Sequence, residues 1–213
     1  MDGATLQARI YSGYAKAALR IGQNADQYRA ATAANPTAIG NKQRTIPASF
    51  NAEDMGYGKP NKYGHPTWYG LFDGSLTRVG DYLIGAFGTF FIAAQQQALP
   101  ILCVECNAVV DIHRPQDQTA VGAIGYGGNT DASETALMTQ WPASILQGGK
   151  GIKDGALPGD VKSPEWQVLL PAFAGVTLRF GDIIIDNMAR RLVIGSAELT
   201  DAGWRMTALQ AEA

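Results

Sequence analysis

Residues 78–94 read RVGDYLIGAFGTFFIAA, and residues 179–195 read RFGDIIIDNMARRLVIG. Sliding the chain against itself by 101 residues aligns 67–107 with 168–208 without a gap, so that Phe72, Gly74, Arg78, Gly80, Asp81 and Ile84 face the identical Phe173, Gly175, Arg179, Gly181, Asp182 and Ile185. The identities cluster in one string, F-x-G-x3-R-x-G-D-x2-I, and an apolar strand follows at the same spacing in both copies: FIA from Phe91, LVI from Leu192. This pattern points to an internal duplication. In an Arg-x-Gly-Asp segment the glycine can adopt positive φ and the aspartate can bond to nearby backbone, which suits a tight turn. The apolar runs beyond it read as hairpins, with short loops at 86–88 and 187–189. One copy supplies about four short strands, too little to close a core comfortably. The expectation is that two half-barrels complete one core, as a sandwich or a small barrel.

Working outward, Leu6, Ile10, Tyr14, Ala17 or Ala18, and Ile21 follow helical spacing, with Asp2 as a cap and Gly22 as a stop. The stripe is narrow, so this helix is expected to lie against another surface, either its own barrel or a neighbouring subunit. Residues 33–66 hold Pro36, Pro47 and Pro60 without a regular period and read as an extended arm that either crosses to a partner or orders on its own subunit. Strand patterns fill 67–113, including ILCVECNAVVDIH, a half-buried strand with room for a bend. Residues 114–165 read as a long glycine- and proline-punctuated insertion with a short helix over 133–139, and 166–213 as the second β unit. The fold class is therefore mainly β: two related Gly-Asp hairpin units, one N-terminal helix over 1–32 with its following segment, and long irregular arms.

Composition narrows the function. The chain has 213 residues, 46% apolar and 17% charged, with a formal charge of -2. That is the globular range, without the basic surface that neutralises nucleic-acid phosphates. No basic leader with an apolar run begins the sequence and no window suits a membrane span, so neither export nor insertion is expected. Two cysteines, Cys103 and Cys106, make no disulfide framework. As a CxxC they would need a turn to join His113 or His65 on a zinc ion, whereas residues three apart on a strand face opposite sides, so they read as ordinary strand cysteines. A phosphate-loop reading fails: the glycines at 122, 125, 127 and 128 and the GGKG at 148–151 lack the spacing, and Lys150 precedes Gly151 rather than Ser or Thr. The chain has no G-x-S-x-G, and Glu53 with Asp54 sits in polar loop. No constellation asks for catalysis, a metal or a cofactor, and the expectation is a protein that is not an enzyme. Candidate contacts with a subunit or partner are Leu6, Ile10, Tyr14, Tyr57, Tyr63, Trp68 and Trp141, and the repeated turns Arg78-Gly80-Asp81 and Arg179-Gly181-Asp182 are candidate structural elements. Tyr57, Tyr63, Trp68 and Tyr69 could also stack a sugar, which keeps a carbohydrate-binding module as a reading from another class.

The LQARIYSGYAKAALRIG helix leading into QYR, the Pro- and Gly-rich arms and the two Gly-Asp hairpins, above all LPAFAGVTLRFGDIIIDNMARRLVIGSAEL, together resemble the neck proteins of tailed bacteriophages, the head-closure and tail-adaptor class. The resemblance implies a virion component made in the host bacterial cytoplasm and assembled as a homo-oligomeric ring between portal and tail. Its partners would be portal, neck or tail proteins, with DNA passing through the channel ungripped and no membrane involved. The duplicated barrel exceeds the single small barrel of a minimal head-closure protein, which keeps a tail-hub or tail-fibre adaptor role open.

Overall fold

The computed structural model describes residues 2–52, 64–115, 134–148 and 165–210. Helix α1 (Gly3–Ile21) leads into β1 (Gln23–Tyr28), β2 (Lys42–Ala52), β3 (Thr67–Leu71), β4 (Tyr82–Gly85), β5 (Gly88–Ala94) and β6 (Ile101–Cys106). Then follow β7 (Ala108–Pro115), β8 (Glu134–Gln147), β9 (Glu165–Leu170), β10 (Ile183–Asp186), β11 (Arg191–Thr200) and β12 (Gly203–Gln210). The first six strands close a barrel in the order β1-β2-β3-β6-β5-β4, and the last six close another in the same order, β7-β8-β9-β12-β11-β10. The duplicated unit is thus a whole six-stranded barrel.

This corrects the expectation that two half-barrels complete one core. Each copy recruits two further strands, β1 and β2 or β7 and β8, and closes on itself by pairing the first with the fourth: Tyr28 with Tyr82, His113 with Ile183. Structurally equivalent positions lie 85 residues apart on β1 and β7, 101 on β4 and β10, and 105 on β6 and β12. A gap-free slide by 101 is therefore in register only around the Arg-x-Gly-Asp turn and the strand after it.

Several expected boundaries also shift. Residues 42–52, expected within the arm, are β2. Pro47 sits there opposite Asn24, and in KQRTIPASFNA only Ile46, Ala48 and Phe50 alternate toward the first barrel's core, too short a pattern beside the proline to read as a strand. Residues 134–147, expected as a loop with a helix over 133–139, are β8. The apparent loop character has a physical cause at Gln140, which takes φ +56 and bulges the strand between the Met138–Ile112 and Trp141–Val110 pairs. Residues 108–113, assigned to the first unit, belong to the second barrel as β7. Only Asn107 separates β6 from β7, and its side-chain amide pairs with both the N–H and the C=O of Ile145 at 2.8 Å, so this joint is fixed rather than a flexible linker.

The alternation on β4, β5 and β6 explains how the barrels meet. Leu83, Phe90, Ile92, Ile101 and Cys103 fill the first barrel. Tyr82, Phe91, Ala93 and Val104, on the opposite face, join the core that Ile112, Trp141, Val168, Ile184, Leu192 and Met206 build around the second barrel. Both faces of this sheet are buried, the pattern that makes strands read as continuous apolar runs. Tyr82 places its hydroxyl where it donates to the Pro142 carbonyl at 2.8 Å, with Trp141 edge-on at 6.1 Å. The connection after β1 also docks across: Asn35 N–H donates to Thr139 O at 2.8 Å, Thr139 N–H donates to Ala33 O at 3.1 Å, and the Trp141 indole donates to Ala33 O at 2.6 Å. This part of the expected arm therefore packs on the second barrel of its own chain.

Helix α1 forms as its signals required: Asp2 Oδ1 accepts from Thr5 N–H at 2.7 Å, and Gly22 N–H closes on Ala18 O. It lies against β2 and β3. A side chain on Gly22 would meet Ala48 O at 2.6 Å, and one on Gly74 would meet the Tyr11 ring at 2.5 Å, so small residues permit the close approach. The buried stripe is rotated from the expected one. Tyr11, Tyr14 and Ala18 face the barrel and Gln7 Oε1 accepts from Ala98 N–H at 2.6 Å, while Leu6 and Ile21 point outward.

Tyr82→Phe removes the hydroxyl that ties the barrels together and leaves the Pro142 carbonyl without this donor, so it is expected to cost about 1–2 kcal/mol, read as a lower urea midpoint with an unchanged far-ultraviolet spectrum.

Candidate functional site

The two repeated turns have one geometry. Gly80 and Gly181 take φ +87 and +85, a region open to glycine. Their N–H groups donate to Ile92 O and Ile194 O at 2.8 and 2.9 Å. Asp81 and Asp182 are buried, and the Oδ2 of each accepts from the backbone N–H three residues back, on Arg78 and Arg179, at 2.9 Å. Each carboxylate is then gripped by an arginine from the barrel's first strand or its end. Arg29 reaches Asp81 through Nε at 2.7 Å and Nη2 at 2.6 Å, and Arg114 reaches Asp182 through the same two atoms at 2.8 Å each. Because Tyr28 pairs with Tyr82 and His113 with Ile183, each fork-shaped ion pair sits one residue past the ladder that closes its barrel. Hydrogen bonding to Asp81 pushes the Arg29 pKa up. The turn is a lock on the barrel seam.

Sequence reading placed Arg78, Gly80, Asp81, Arg179, Gly181 and Asp182 at this element but missed Arg29 and Arg114. The signal was present: Asp26-Gln-Tyr-Arg29 and Asp111-Ile-His-Arg114 share D-x-x-R, 85 residues apart. The guanidinium partners are these two, whereas the side chains of Arg78 and Arg179 are exposed.

The expected contact residues scatter. Trp141 is 1% exposed inside the inter-barrel core and so is corrected from a surface contact to a packing residue. Burial of both barrels' neighbouring faces, rather than a partner, accounts for it. Leu6 is exposed, Ile10 half-buried, and Tyr14 packs on the first barrel. Tyr57, Tyr63, Glu53, Asp54, Lys150 and the glycines at 122, 125, 127 and 128 lie outside the described residues. Trp68 lines a cleft of about 220 Å³ at the end of β1 remote from Arg29, with Gln23, Phe50, Phe87, Phe90 and Glu105. Phe50 stacks on Phe90 at 3.9 Å, Phe87 meets Phe50 edge-on at 4.9 Å, and the Trp68 indole donates to Glu105 Oε2 at 3.0 Å. Outside the cleft, the x residue of each repeated turn is an apolar side chain in water: Val79 is 49% exposed and Phe180 77%.

Cys103 points into the first barrel and Cys106 toward the inter-barrel core, on opposite faces of β6. Burial pushes both thiols well above the ordinary cysteine range. Compared with family models, curated proteins and solved structures, the chain gives no match.

Two outcomes follow from this geometry. Asp81→Ala is expected to cost about 3 kcal/mol, because it takes the paired carboxylate from the half-buried Arg29 guanidinium and an acceptor from the buried Gln27 amide, which donates to Asp81 Oδ2 at 2.6 Å. Asp182→Ala costs less, since Ile112 stands at the position equivalent to Gln27, and urea melts of the two variants rank them. Thiolate is the reactive form, so neither cysteine should react with a disulfide reagent at a free-thiol rate until denaturant is added, as monitored by absorbance.

Proposed function

We propose that this chain is a structural component of a tailed-phage particle, an adaptor in the head-to-tail neck that works by assembling into a ring. The observation that carries the reading is Phe180. A phenyl group 77% exposed sits on a turn fixed by Gly181, Asp182 and Arg114, so the chain holds an apolar knob in water on one of its most constrained elements. Solvent offers nothing to such a side chain, whereas an interface does. A rigid two-barrel body and a net charge of -2 fit the same role: a ring subunit that lets DNA pass must keep its shape and avoid neutralising phosphates. The resemblance of the helix and Gly-Asp hairpins to phage neck proteins supplies the biological setting.

Sedimentation velocity and negative-stain electron microscopy test the reading. Closed rings of one defined size at micromolar concentration are expected. A chain that remains monomeric under these conditions and binds glycans on an array would replace the adaptor with a carbohydrate-binding module.

A further inference from the structure

Phe180 and the aromatic cleft complement each other. Resting on the assembly reading above, we propose that the Phe180 turn of one chain seats in the first-barrel cleft of a second copy, and that this head-to-tail contact is what builds the ring. Size is one argument. An apolar cavity of roughly 150 Å³ accepts a benzene ring, and the cleft, at about 220 Å³, is larger than that. Its walls suit an aromatic guest, since Phe50, Phe87 and Phe90, which pack edge-on and stacked among themselves, line it together with Trp68.

Charge is the second argument. Glu105 lines the cleft and its described partner is the neutral Trp68 indole, so its negative charge has no cation beside it among the described residues. Arg179, next to Phe180, is exposed and its guanidinium has no acidic partner among the described residues. Seating Phe180 would bring this cation to that anion. The third argument is contrast within the chain. The equivalent turn of the first barrel carries Val79, 49% exposed beside a small hollow that Trp141 and Phe173 of the second barrel also line. Phe180, at 77%, is the more exposed of the two tips.

Knob and cleft lie on different barrels, so the contact is heterologous: each bound copy leaves one knob and one cleft free, and the chain of contacts ends only by closing into a ring. The expected result is that wild-type chain assembles while Phe180→Asp and Glu105→Arg each need at least tenfold higher concentration to do so, in sedimentation velocity with circular dichroism to verify folding. Equimolar mixing of the two variants should give one-to-one dimers and nothing larger, because Phe180→Asp keeps the cleft and Glu105→Arg keeps the knob. Glu105→Gln, which preserves an acceptor for Trp68, should weaken assembly less than Glu105→Arg. If wild type forms rings and Phe180→Asp forms them equally well, or if the mixed variants stay monomeric, the knob-and-cleft contact is wrong while the ring stands. If wild type itself stays monomeric, the assembly reading and this contact fall together.

Discussion

A carboxylate taken out of water must be paired or it will not stay charged, and in this protein that demand is placed on the seam of each barrel. Asp81 and Asp182 sit at the start of the strand that closes the sheet, each gripped through two atoms by an arginine from the opposite side of the closure. The glycine before each aspartate turns the backbone so that the carboxylate can also take the N–H three residues back. Backbone turn, side-chain pair and closing ladder therefore support one another. Removing any one exposes the ends of the first and fourth strands, and an open six-stranded sheet would present the unpaired edges that closure abolishes.

The consequence for the whole body comes from β4 to β6. These strands leave the seam of the first barrel with one face turned in and the other turned toward the second barrel. An ordinary small barrel wets its outer face. Here Tyr82, Phe91 and Val104 cannot be wetted without cost, and the second barrel covers them. The passage through Asn107 alone, with its amide bonded to Ile145, removes the slack that would let the barrels swing. The segment around Asn35 adds a strap across the same junction.

Duplication has also created inequality. The first barrel's turn tip borders a hollow that the second barrel also lines, the outer face of β4 to β6 is covered and α1 lies on β2 and β3, while Phe180 on the second barrel's turn is 77% exposed. Two copies of one element thus come to have different surroundings.

The helix, its caps, the mainly β class and the repeated turn were legible in the sequence because each rests on local chemistry: an aspartate accepting from the first turn, a glycine at positive φ, apolar residues alternating along a strand. Trp141 could be seen as apolar, yet not placed, since a tryptophan in a core and one at an interface look alike in one dimension. The closing pairs Tyr28–Tyr82 and His113–Ile183, the strand identity of 42–52 and 134–147, and the meeting of Arg29 with Asp81 depended on residues dozens of positions apart finding register. Added residues in the second copy's connections hid that register from any fixed offset. The sequence alone determined which pieces would form and that one of them recurs. Whether two copies would share a core or each close its own was decided by long-range strand pairing, because the energy of burying a sheet face depends on what is brought opposite it.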